Sequence, residues 1–189
     1  MNKDRSELLL ASIKRLLRRG ATKQLKNIIK KTHMVDLSGV FRELSPDNRQ
    51  KLFDLIDSPE EKGILFSKLE ESTFLEFVKT IELEDLVDIF SQMPADDAAE
   101  LLNRLDENTS DQILQKMKNE DSTNVEHLMS YGDDTAGSIM VPDFVALQED
   151  MGAREVIEAL QNKYLDVEMP FYIYVTDEYG KLVGVSSLR

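Results

Sequence analysis

The sequence predicts a mainly α chain, a superhelical array of short helices followed by a small α/β unit. Three observations carry that expectation. Through the middle of the chain, apolar residues recur on a twelve-residue beat, the mark of a stacked repeat. After residue 143 the pattern changes to alternating β-type runs. Between the two lies "YGDDTAGSIMVPDFVAL", residues 131–147, an acidic, glycine-marked elbow.

The chain opens on "LLLASIKRLLRRGATKQLKNIIKK". Leu9, Ile13, Leu16 and Leu17 fall on one helical face, with Lys14, Arg15, Arg18 and Arg19 around it. Gly20 is a helix stop, and Leu25, Ile28 and Ile29 mark a second helix. Residues 1–31 hold 10 Lys/Arg against 2 Asp/Glu, and the rest holds 13 against 34, within a net charge of −13. A basic amphipathic helix can lie on an anionic membrane or meet a calmodulin-like partner. The plainer reading is a first helix packed onto the body, its cations facing acidic neighbours. An acidic body argues against nucleic acid as a partner.

From position 69 the beat is regular: Leu69, Ile81, Met93, Leu105 and Met117 stand twelve apart. Apolar residues return five, eight and nine positions later: Phe74, Phe77 and Val78, then Leu86, Ile89 and Phe90, then Ala98, Leu101 and Leu102. The fourth unit keeps Ile113 and Leu114 but places Ser110 in the first slot. Leu44 and Ile56 are also twelve apart, with a thirteen-residue step to Leu69. Units open with "LSPDN", "IDSPEE", "MPADD" and "LDENTSD", where proline in a first turn and Ser or Asp before it start helices. Twelve residues accommodate a helix of roughly two turns and a tight connection. Such helices bury their apolar stripes only by stacking on one another.

Residues 80–103 carry Glu82, Glu84, Asp85, Asp88, Asp96, Asp97 and Glu100 with no Lys or Arg. Glu84 and Asp88 are i,i+4, and Asp85 is i,i+3 from Asp88, so their carboxylates share one side of a helix. Asp96 and Asp97, just after Pro94, suit a helix N-terminus, where acids complement the dipole. Asp88 is a full turn further in. Like charges so placed repel, and a hard divalent cation would relieve the repulsion. Charge pattern alone is met as well by a solvated acidic face.

Beyond the elbow, residues 144–150 and 171–177 read as strands, 153–160 as a helix with Val156, Ile157 and Leu160 inward, "DEYGKL" as a turn at Gly180, and "LVGVSSL" as a third strand. The chain has no cysteine and two histidines, His33 and His127, which excludes thiolate metal sites and an imidazole-rich zinc site. It carries no apolar run near 18 residues and no signal-peptide pattern, so it reads as a soluble, cytosolic piece. No nucleophile–base pair or glycine-rich phosphate loop points to an enzyme.

The β-α-β-turn-β order, entered through the Met140-Val141-Pro142 segment, resembles a CBS motif. Such motifs occur as packed pairs, and the resemblance implies the first half of a pair, incomplete at Arg189. The expected division is residues 1–130 as a helical domain, 131–143 as a connecting elbow and 144–189 as the CBS motif.

Acidic short-helix repeats, then "DDTAGSIMVP", then "FYIYVTDEYGKLVGVSSLR" together resemble the cytosolic part of the MgtE family of magnesium transporters. The resemblance implies the N domain and first CBS motif of a homodimeric protein on the cytoplasmic face of the cell membrane. A second CBS motif and a membrane-embedded pore would follow, and the region would sense Mg²⁺ and close the pore when it is plentiful. It further implies Mg²⁺ at Glu84 and Asp88, with Asp85 beside them, although a glutamate stands at 84 where that family commonly has aspartate. Some members bind ATP at the CBS pair, which puts Tyr172 and Arg189 at candidate ATP contacts; the alternative for Tyr172 is a core aromatic. Two other functions fit the outline, an interaction scaffold resembling flagellar motor switch proteins of the FliG type and a nucleotide-sensing CBS module of an enzyme.

Overall fold

The computed structural model describes residues 3–132, 134–142, 144–162 and 172–187. Among them are eleven α-helices and one sheet of three strands, and the chain divides between Ile139 and Met140 into two compact units.

In the first unit α1 (Lys3–Arg18), α2 (Thr22–Ile29), α3 (Met34–Arg42), α4 (Pro46–Phe53) and α5 (Pro59–Ser67) lead into the regular part of the array. There α6 (Glu71–Val78), α7 (Leu83–Phe90), α8 (Ala95–Leu102), α9 (Glu107–Lys116) and α10 (Asn119–Met129) follow, all five starting twelve residues apart. Of the beat residues themselves Leu69 and Met117 are buried while Ile81, Met93 and Leu105 are half-buried, and the burial is carried by the positions that follow them. Phe74, Phe77 and Val78, Leu86, Ile89 and Phe90, Ala98, Leu101 and Leu102, and Ile113 and Leu114 are all buried. Ser110 is buried in its slot like its apolar counterparts, and a fifth unit repeats the scheme with Ser122 and Val125.

The starts are fixed by local chemistry. Pro46 and Pro59 occupy the first turns of α4 and α5, and the Ser58 hydroxyl accepts the Glu61 amide at 3.3 Å. The Asp106 carboxylate accepts the Thr109 amide at 3.0 Å and the Thr109 hydroxyl at 2.8 Å, capping α9. At the other end of α3 the Arg49 guanidinium donates to the carbonyls of Phe41, at 2.9 Å, and Arg42, at 3.1 Å. Carbonyls in a last helical turn have no i+4 amide inside the helix, and that of Phe41 also accepts the Leu44 amide at 3.2 Å.

Five phenylalanines tie α3, α4, α5 and α6 together. Phe53 stacks on Phe66 at 5.5 Å and meets Phe77 edge-on at 4.9 Å, Phe66 meets Phe74 edge-on at 5.5 Å, and Phe41 meets Phe77 edge-on at 5.4 Å. Offset and edge-to-face arrangements are those the ring quadrupole favours. The basic opening packs onto the body, with Ile13 wholly buried and Lys14, Arg15, Arg18 and Arg19 on the outside, and none of these four forms a salt bridge among the described residues. Lys26 on α2 reaches Asp57 at 2.5 Å.

The elbow begins inside this unit. Asp134 takes a φ of +62°, and a short 3₁₀ turn follows at Gly137–Ile139. The Tyr131 ring lies on Gly137 so closely that a Cβ there would stand 2.3 Å from a ring carbon. The same phenol hydroxyl is 3.3 Å from His127 Nε2.

In the second unit β1 (Val145–Gln148) pairs parallel with β2 (Tyr172–Thr176), which pairs antiparallel with β3 (Leu182–Ser187). Helix α11 (Ala153–Asn162) stands between β1 and β2 in the chain. Val145, Leu147 and Ile173 form the core, with Met151, Val156, Ala159 and Leu160 against it. Ile157 departs from expectation: it is 54% exposed and Ala159 packs in its stead. The inward stripe runs through 156, 159 and 160 at helical spacing, and 157 lies about 100° round from 156. Gly180, at a φ of +77°, turns the β2–β3 hairpin, whose ends are tied by Asp177 Oδ1 accepting the amides of Tyr179 and Lys181 at 3.0 and 2.9 Å.

Two stability changes follow. Phe66→Ala removes the ring shared by three aromatic contacts and should lower unfolding free energy by about 3–5 kcal/mol, read from chemical denaturation. Ser110→Ala should act oppositely. The buried Ser110 hydroxyl has no hydrogen-bond partner among the described residues, and its removal should raise stability by about 1 kcal/mol, with a higher melting temperature.

Candidate metal-binding face

Helix α7 sorts its residues by its period. Leu86, Ile89 and Phe90 point into the array, and Glu84, Asp85 and Asp88 lie on the other side, outside the buried stripe. Glu84 and Asp85 occupy the first turn, where acids meet the positive end of the helix dipole. Asp88 stands a turn later, beyond most of that help. On α8, Asp96 and Asp97 hold the first turn and Glu100 pairs with Arg104. One Asp96 carboxylate oxygen, Oδ1, is buried without a hydrogen-bond partner among the described residues.

The three α7 acids differ in their partners. Glu84 Oε1 accepts a hydrogen bond from Lys116 Nζ at 2.8 Å. Lys116 is the last residue of α9, and α9 packs against α7. The ammonium's hydrogen bond holds the Glu84 carboxyl below the ordinary glutamate range, helped by a backbone amide and by the lysine's charge. Asp85 and Asp88 form no salt bridge among the described residues. No group of three or more Asp, Glu or His in a metal-holding arrangement occurs among the described residues. The face is an open acidic stripe, suited to a hydrated hard cation held through one or two carboxylates. Sequence reading missed Lys116, which lies outside the cation-free stretch; the signal was the two-unit spacing that sets α9 beside α7.

Tyr172 opens β2 and is 61% exposed. Alternation gives the core position to Ile173 instead, so Tyr172 is not the core aromatic of the alternative reading. Arg189 lies outside the described residues. Tyr174, half-buried, meets Phe144 edge-on at 5.6 Å.

An array of two-turn helices followed by a β-α-β-β unit defines a protein of the helical-repeat and CBS class. Residues 32–134 match the MgtE intracellular N domain and residues 136–189 the CBS domain. The chain belongs to the MgtE family. It is 32% identical to the magnesium transporter MgtE of Thermus thermophilus over 97% of its own length and 41% of that protein's. It is 27% identical to that of Bacillus subtilis over 92% and 38%. The chain thus spans about two-fifths of these relatives. Its fold is similar to the crystal structure of the soluble part of a magnesium transporter, at a TM-score of 0.86 and 26% identity over 97% of this chain and 72% of that one. It is likewise similar to the cytosolic domain of the Mg²⁺ channel MgtE in complex with ATP, at 0.87 and 30% over 95% and 73%. No helix among the described residues is long and apolar enough to cross a membrane.

The ion pair fixes a pH dependence. Because Glu84's carboxyl is lowered in the folded chain, the pair's contribution is present at neutral pH and is lost as pH falls through the acid range below about 4.3. Carbon-detected NMR titration should find Glu84 titrating below the ordinary glutamate value. In Lys116→Gln it should move back up.

Proposed function

We propose that this chain is the Mg²⁺-sensing regulatory region of a magnesium transporter, with no catalytic role, acting on the cytoplasmic face of the cell membrane. It closes a membrane-embedded pore when intracellular Mg²⁺ is high. In this reading the chain works as a homodimer, residues 1–130 are the sensing domain, 131–143 are the connecting elbow, and 144–189 pair with a second CBS motif. ATP is a ligand of that pair, with Tyr172 and Arg189 as its contacts.

The observation that carries the reading is the outward α7 face, where Asp85 and Asp88 have no salt bridge among the described residues to neutralise them. Membership of a family whose relatives are magnesium transporters supports the choice of ion. Mg²⁺ keeps several waters and is usually held by one or two carboxylates, so an open acidic stripe suits a sensor that must also release it. Without the ion, like charges on this face and on an opposing acidic surface repel. With it, repulsion is screened and the docked, closed state gains population by the ion's differential affinity for it.

The test uses the full-length protein. At a hundredfold excess of Mg²⁺ over its dissociation constant, linkage raises stability by about 2.7 kcal/mol, a plain melting shift. Glu84→Ala with Asp88→Ala should lose most of that shift, leave stability without Mg²⁺ nearly unchanged, and hold transport open at Mg²⁺ levels that close the parent. A double variant that keeps the whole response removes α7 from the mechanism.

A further inference from the structure

We propose that the outward face of α1 is a docking surface for anionic phospholipid, holding the first unit to a membrane by charge without inserting into it. The proposal takes from the reading above only the membrane location, and nothing from ion sensing.

From residue 6 onward α1 sorts its residues by helical period. Ile13 is wholly buried and Leu9, Leu10, Leu16 and Leu17 are half-buried, so the apolar stripe is committed to the array, where α1 packs against α2 and α3. The other side carries Lys14, Arg15 and Arg18, with Arg19 just past the helix end, and Glu7 is the one exposed acid there. Acids abound in the chain, 34 Asp/Glu against 13 Lys/Arg after residue 31. Yet among the described residues these four cations form no salt bridge. Lys26 on α2 does, to Asp57. The fold therefore meets the packing needs of α1 and leaves its charge unanswered.

The burial pattern chooses a lipid surface over a protein groove. A groove that receives a basic amphipathic helix grips its apolar side, and that side is already covered. A layer of anionic headgroups needs only cations along one face, and four or more on a helix are its usual mark. Leu8 is 69% exposed and stands seven residues before Arg15, hence on the same side. It offers the headgroup layer one apolar tip among the cations. The net charge of −13 does not forbid this contact. A membrane meets one face, and charges beyond a Debye length of about 8 Å are screened.

Co-sedimentation of the 189-residue chain with vesicles tests this, in buffer without divalent cations so that none bridges carboxylates to lipid. The chain should bind vesicles of equal parts phosphatidylglycerol and phosphatidylcholine and stay in solution with phosphatidylcholine alone. Salt near 1 M, where the Debye length is about 3 Å, should release it. Arg15→Gln should weaken binding about fivefold, the worth of one cation at such a surface. Leu8→Ser should weaken it with charge untouched. Lys118→Gln, an equal charge change at an exposed residue on another part of the array, should stay near the parent. All three changes fall on exposed positions, and matching circular dichroism spectra check that each variant folds. Absence of binding to the anionic vesicles, equal binding to neutral ones, or equal losses in Arg15→Gln and Lys118→Gln overturns the proposal. The Mg²⁺ melting shift of the full-length protein stands or falls separately from each of these results.

Discussion

An α-helix of eight residues does not hold itself together in water, because nucleation costs more than two turns of hydrogen bonds return. Five of the helices here have that length. Everything in the first unit follows from this dependence of each helix on its neighbours. It explains why three positions in every twelve are committed to the interior. It explains why the largest side chains gather where the array starts, with Phe53, Phe66 and Phe77 each touching more than one other ring. It also explains why polar groups at helix ends are satisfied by side chains from elsewhere, as Arg49 does for the last carbonyls of α3.

The same commitment frees the outer faces. With burial assigned to a fixed stripe, the remaining positions of α7 carry carboxylates without disturbing the packing, and their mutual repulsion is the only energy they must answer for. Glu84 answers through Lys116, while Asp85 and Asp88 are exposed and form no salt bridge among the described residues. An outer face can therefore be charged without weakening the stack beneath it.

Periodicity makes most of this legible in the sequence. The stripe, the caps at Ser58 and Asp106, the β-α-β-β order and the turn at Gly180 are all written in local spacing. The sharing of one helix side by Glu84, Asp85 and Asp88 is legible for the same reason. What is not legible depends on neighbours distant in the chain. The Glu84–Lys116 pair joins residues separated by two helical units, and no local pattern ranks one lysine above another. On α11, hydrophobicity points Ile157 inward, whereas the helical period gives that place to the smaller Ala159. The Tyr131–Gly137 contact needs the chain to fold back on itself, which the glycine alone does not announce.

The first slot of successive units changes in size, from Phe74 through Leu86 to Ala98, Ser110 and Ser122, all of them buried. The stack is thus a taper. Helices separated by small side chains approach one another more closely, and each contributes less apolar area to the whole. The series therefore trades bulk for closeness: the aromatic end fills its interior with large rings, and the end nearer α10 fills it with small side chains that are buried as well.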